Sequence, residues 1–186
     1  MPYLKKNTDA PFGLAPYTVP LRVNSYTKAS TTTIYAGDIV TLLATGLVNS
    51  LPAIDGSNQP VLGVAAETVT SASAGTTVMV YDHPDQLYVI QDDDVGTAIA
   101  QTHVGNLFTV TGLNPGTAAE VTRGRSITEM DTSSAAATVV GASLLQFVRL
   151  HEIETGGFPS AAGSPQKCVV KFLASNLFYA TQSGAV

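Results

Sequence analysis

The chain has 186 residues, a formal net charge of −5 and 12% Asp, Glu, Lys and Arg, about half the usual charged share of roughly 25%, with a mean hydropathy of +0.21. That length suits one domain with a real core rather than two; no stretch approaches the ~20 apolar residues of a membrane span, and the N-terminus lacks the apolar core of a signal peptide, so a soluble chain without an export signal is expected. So little charge suggests that much of the surface is covered in an assembly, and a multimer is expected in solution.

Residues 1–33 carry Pro2, Pro11, Pro16 and Pro20 and a net charge of +3 from Lys5, Lys6, Arg22 and Lys28 against Asp9. Proline at this spacing prevents a helix and favours extended chain. The stretch reads as an arm. Tyr3, Leu4, Phe12, Leu14, Tyr17, Val19, Leu21 and Tyr26 make it too apolar to float, so it lies along its own body or a neighbour, or forms an edge strand of its own domain.

From Ile34 the pattern changes to short runs rich in Val and Thr, broken by Gly, Pro, Asn and Asp, as in an all-β domain. Residues 34–120 contain no Lys or Arg and carry a net charge of −9, whereas 121–186 carry +1. Strands are expected over 38–44, 61–68, 77–81, 87–91, 107–111, 124–129, 143–150 and 168–173. Asp82-His83-Pro84-Asp85-Gln86 has the chemistry of a hairpin turn joining two strands that are apolar on both faces. Val95 to His103, after the acidic Asp92-Asp93-Asp94, and the run from Ser133 to Ala137 read as short helical segments. Gly156 to Pro165 reads as a loop. The expected architecture is all-β with one or two short helices, a β-sandwich or β-barrel body over 34–186 carrying an extended N-terminal arm over 1–33.

Chemistry is sparsely signalled. Asp82, His83, Asp85 and Asp92 to Asp94 form the densest group of acids, but they lack the spacing of a calcium loop and read as turn acids and a helix start. His83, His103 and His151 belong to no metal motif, and no nucleophile elbow, phosphate loop or dinucleotide fingerprint is present. Cys168 is alone and reads as a small buried side chain. No catalytic residue, metal or cofactor is therefore assigned. An acidic body disfavours nucleic acid. The basic and apolar residues of the arm, Lys5, Lys6, Phe12, Leu14, Tyr17, Arg22, Tyr26 and Lys28, together with Arg123 and Arg125, are the candidate contacts to another protein surface of complementary charge.

A succession of segments carries a resemblance: Phe12-Gly13-Leu14-Ala15-Pro16, Ile34-Tyr35-Ala36-Gly37-Asp38-Ile39-Val40, Pro60-Val61-Leu62-Gly63-Val64-Ala65, Tyr81 to Gln91, Asp94-Val95-Gly96, and Ser126 to Ser134 leading into the strand at Leu144. Their order resembles the head decoration, or capsid cement, proteins of bacteriophages. It departs at the C-terminus, where related proteins often close on Asn-x-His and this chain reads Leu173 to Thr181. The resemblance implies a β-rich virion protein, made in the host cytoplasm, that binds the outer surface of the major capsid protein lattice, often as a homotrimer. It implies no reaction, nucleic acid or membrane. A phage tail, baseplate or fibre-attachment protein is the nearest alternative, and a carbohydrate-binding module or enzyme a more distant one, given that the chain has no Trp.

Overall fold

The computed structural model describes residues 11–29, 33–52, 60–70, 75–93, 98–113, 118–138, 143–151 and 165–178. Among them run strands β1 (Ala15–Pro16), β2 (Val23–Thr27), β3 (Ile39–Leu42), β4 (Val48–Ser50), β5 (Val61–Ala65), β6 (Thr77–Tyr81), β7 (Tyr88–Gln91), β8 (Leu107–Phe108), β9 (Val110–Thr111), β10 (Glu129–Met130), β11 (Leu145–Leu150) and β12 (Lys167–Phe172), with one α-helix, α1 (Ala118–Arg123). The protein is all-β. One antiparallel sheet has the order β1-β7-β12-β11-β8, a second β2-β6-β5-β3-β4, and β9 and β10 form a short ribbon. The second sheet curls until its two edges touch at a single bridge between Lys28 and Val48; no barrel closes.

Alternation interrupted by a bulge explains how two cores are filled from one strand: the β3–β5 register shifts between Val40↔Gly63 and Thr41↔Val61, so residues three apart in β5 come to share a face. In β5 all five residues are buried, because Val61 and Val64 face the core between the sheets while Leu62 and Ala65 face a second core inside the curl. β3 divides in the same way, Ile39 to the first and Val40 to the second. A strand covered on both faces must read as a continuous apolar run. The larger core takes Tyr88 and Ile90 from β7, Leu145 and Phe147 from β11, and Cys168, Val170 and Phe172 from β12. Tyr88 joins the two sheets: its ring packs edge-on to Phe172 at 5.4 Å, and its hydroxyl donates to the Tyr81 carbonyl at 2.9 Å. Burial, first, and the nearby negative charge of Asp82 push the Tyr88 hydroxyl pKa well above its ordinary value.

Two close backbone approaches fix how the strands meet. Gly63 has no side chain because a Cβ there would lie 2.1 Å from the Tyr81 carbonyl oxygen of β6. Near the N-terminus, the backbone at Phe12 to Leu14 crosses that at Gly37, with Leu14 N donating to Gly37 O at 3.0 Å. Gly37 sits at φ +91, and a Cβ there would lie 2.6 Å from the Phe12 carbonyl oxygen. Beside this crossing the carboxylate of Asp38, only 3% exposed, accepts from Tyr35 N at 2.9 Å and Ser50 Oγ at 3.1 Å. Burial raises its pKa, partly opposed by hydrogen bonds from the Tyr35 backbone and the Ser126 and Ser50 side chains.

Several local expectations are corrected. The turn chemistry of 82–86 does not make a hairpin: β6 pairs with β2 and β5, whereas β7 pairs with β1 and β12. The segment is a crossing between sheets that closes its own turn, Gln86 N donating to His83 O at 3.1 Å, while Asp82 and Gln86 bind Arg22 and Leu21 of the N-terminal segment. Met79 is 37% exposed, so β6 is covered on one face only. The strand expected over 124–129 shrinks to β10, and α1 precedes it. The two expected helical segments are each reduced to one 3-10 turn among the described residues, Gln101–His103 and Thr132–Ser134. Of the loop expected over 156–165, only Pro165 lies among the described residues. Residues 11–29 lie on their own body, β1 pairing with β7 and β2 with β6.

Candidate interaction surface

Besides its backbone pairing with β7 and β6 and the burial of Leu14, the N-terminal segment is held to the body by one buried carboxylate. In β2, residues two apart share a face, and just before and along it Arg22, Asn24 and Tyr26 all reach Asp82, which follows β6. Arg22 Nε donates to Asp82 Oδ1 at 2.7 Å and its Nη2 to the Asp82 carbonyl at 2.8 Å. Asn24 Nδ2 donates to Asp82 Oδ2 at 2.8 Å, and the Tyr26 hydroxyl donates to the same oxygen. Leu21 N donates to the side-chain oxygen of buried Gln86 at 2.9 Å, and Tyr17 N to Leu87 O at 2.9 Å. Burial would raise the Asp82 pKa, yet hydrogen bonds from Tyr26, Arg22 and Asn24 and the charge of Arg22 outweigh it, so the carboxylate sits below its ordinary value.

This arrangement redistributes the contact residues expected from sequence. Lys5 and Lys6 lie outside the described residues. Leu14 is 2% exposed and belongs to the core between the sheets, so it offers nothing to a second surface. Lys28 is also buried, its ammonium 3.2 Å from Ala29 O, and desolvation lowers its pKa. Arg22 and Tyr26 serve Asp82. The complementary charge of arm and body is thus satisfied, at Arg22, within one chain.

The remaining candidates lie nearer the surface. The half-buried Tyr17 packs edge-on to His151 at 5.7 Å, with the Arg149 guanidinium 5.0 Å over its ring and donating to its hydroxyl. Phe12 is half-buried beside the Lys167 ammonium. Arg123 is exposed and donates to Pro11 O at 3.1 Å; Arg125 is exposed. Val19 at 83%, Leu21 at 57% and Val23 at 37% are the exposed apolar side chains of this segment. Val19 and Leu21 were legible as part of an apolar arm, but their outward direction follows only from the inward turn of Arg22 and Asn24.

Of the acids that might have held a cation, Asp94 lies outside the described residues, Asp82 binds the N-terminal segment, and Asp92 and Asp93 accept from backbone amides. Asp92 accepts from Gln166 N at 2.7 Å. Asp93 accepts from both Thr132 N and Oγ1 at 3.0 and 2.9 Å, and Asp131 caps the 3-10 turn through Ser133 N. Among the described residues no group of three His, Cys, Asp or Glu is arranged to hold a metal ion. The exposed Asn24 and the buried Gln86 were missed from the sequence, because neither residue type signals a polar anchor until the strands are paired. Compared with protein-family profiles, curated proteins and solved structures, the chain matches none.

Proposed function

We propose that the chain is a decoration, or cement, protein of a bacteriophage head, a homo-oligomer that binds the outer surface of the major capsid protein lattice and holds neighbouring subunits together without catalysis. The observation that carries this reading is the crossing at Gly37. Phe12-Gly13-Leu14, Ala36-Gly37-Asp38 and Ser126 come from three segments of the resemblance that are far apart in the chain. They meet there through Leu14 N to Gly37 O and Ser126 N to Ala36 O, both at 3.0 Å. The ordered succession therefore corresponds to one packing constraint, which scattered strand-like words would not require. A surface poor in charge, with Val19, Leu21 and Val23 exposed, supports adhesion as the mode of action. Weak contacts repeated over a lattice add up when an oligomer engages several sites at once.

Copy number on purified particles tests the reading. Many copies spread over the shell are expected; a few copies at one vertex would transfer the chain to the tail, baseplate or fibre attachment. Removing residues 1–10, which takes away Lys5 and Lys6 while leaving β1 and β2 in the chain, is expected to lower shell occupancy. Unchanged occupancy would take the basic N-terminus out of the contact.

A further inference from the structure

Arg22 is bound to Asp82 and Lys28 is buried, but Arg149, Lys167 and Lys171 gather on one face of the sheet β1-β7-β12-β11-β8. β12 places Cys168, Val170 and Phe172 in the core, so by period-two alternation Lys167, Val169 and Lys171 point to the opposite face. In β11 plain alternation would send Arg149 inward after Leu145 and Phe147. A bulge prevents this: the register with β12 shifts between Phe147 and Arg149, and the extra residue sets Arg149 opposite Val169 on the outward face. His151 follows on that face, its amide donating to Lys167 O at 2.9 Å.

This outward face is covered by its own side chains. Tyr17, just after β1, meets the Arg149 guanidinium 5.0 Å over its ring, a span across β7 and β12, and Val89 and Val169 beneath it are buried. Phe12 lies in the same way beside Lys167. Arg149 and Lys171 are exposed. An acid, Glu129, reaches one end of the face, accepting at 3.1 Å from Gln91, which pairs with Lys167. Arg149 stands diagonal to both Lys167 and Lys171, which flank its partner Val169 at two residues either way. Like charges so placed oppose folding, and in a molecule of net −5 they make a local field opposite in sign to the whole.

We infer that the outward face of β11 and β12 docks an acidic segment of another protein, whose carboxylates meet Arg149 and Lys171 with Lys167 and His151 at one end. Charge complementarity selects this occupant. A second copy related by a two-fold axis would set the face against itself, like charge on like. A phosphate polymer would run past these few cations onto a chain whose residues 34–120 carry −9, and the rings on this face are engaged by Arg149 and Lys167 instead of standing open for bases to stack on. The inference deepens the proposed function, naming the face and the chemistry of the protein partner.

Poly-L-glutamate is the probe. The full chain is expected to bind the labelled polymer at low salt, more weakly as salt rises. Lys171→Glu combined with Arg149→Glu is expected to weaken binding about tenfold or more with an unchanged circular dichroism spectrum, while Lys171→Arg combined with Arg149→Lys keeps it. If Arg149→Glu disturbs the fold through Tyr17, Lys171→Glu alone is expected to weaken binding in the same direction. No binding by wild type, or binding that charge reversal leaves unchanged, overturns the inference. So does tighter binding of double-stranded DNA that is lost on the same reversal, since that assigns the face to a phosphate polymer, and so does self-association lost on the same reversal, since that assigns it to a second copy. Many copies per particle of the charge-reversed chain would overturn this face and leave the lattice reading standing. Few copies at one vertex, with poly-L-glutamate binding lost on reversal, would overturn the lattice reading and leave this face standing.

Discussion

Asp82 does at the residue scale what the acidic middle and basic start of the chain imply only in bulk: it converts opposite charge into a fixed strand position. Its carboxylate is fully shielded while the Arg22 side chain is 39% exposed, so solvent screens part of the pair and the neutral donors Asn24 and Tyr26 carry much of the specificity. Asp82→Ala leaves three donors without their acceptor, and urea unfolding is expected to show a loss of about 2–3 kcal/mol; a loss below about 0.5 kcal/mol would remove Asp82 as the anchor. The two buried aspartates respond to acid with opposite sign. Asp82, lowered in the fold, contributes stability above the ordinary value of 3.8 that is lost as pH falls through its folded value. Asp38, raised in the fold from 3.8, contributes stability at low pH that is lost as pH rises through its folded value. Between neutral pH and 3.8, wild type is therefore expected to gain stability relative to Asp38→Asn as the solution is acidified. Chemical unfolding of both proteins across that range checks the sign, and a gap that widens against wild type would show that burial is not the dominant influence on Asp38.

The N-terminal segment is an element of both sheets. β1 covers the edge of β7, β2 covers the edge of β6, and between the core and the Gly37 crossing Leu14 acts as an apolar pin. Leu14→Ala is expected to cost about 2–5 kcal/mol, the usual range for emptying a buried leucine site, whereas Val19→Ala at the exposed end of the segment is expected to change stability by less than about 0.5 kcal/mol. Equal effects in thermal unfolding would mean that the segment is docked as a surface arm. Gly63→Ala probes the other close approach. With a Cβ 2.1 Å from a backbone oxygen, β5 must move from β6, and a loss of about 3 kcal/mol or more is expected; a folded variant of wild-type stability would mean that the strands separate freely.

For the whole molecule, a low charge content makes a distinctive demand on any association. A contact built from backbone bonds and neutral side chains lacks the screening sensitivity of ion pairs. Self-association through the neutral surface is therefore expected to survive high salt with little change in sedimentation, while any shell contact made by Lys5 and Lys6 weakens. Dissociation of the isolated oligomer by salt would point to charged residues such as Arg123 or Arg125 instead. On a repeating lattice the neutral contact and the basic contact would act together, each covering the conditions in which the other is weak.

From local pattern alone the all-β class was legible, together with the strand expected over 168–173, which the fold places at Lys167–Phe172, because period-two patterning acts within a few residues. The sequence also marked Leu14, Tyr17, Arg22 and Tyr26 as contact residues. The tertiary structure alone showed that Leu14, Arg22 and Tyr26 contact their own chain and that 82–86 crosses between sheets instead of turning a hairpin. Those outcomes depend on which strands become neighbours. Strand pairing is a long-range choice, set by two cores filled from opposite faces of β3 and β5, and no local pattern of residues encodes it.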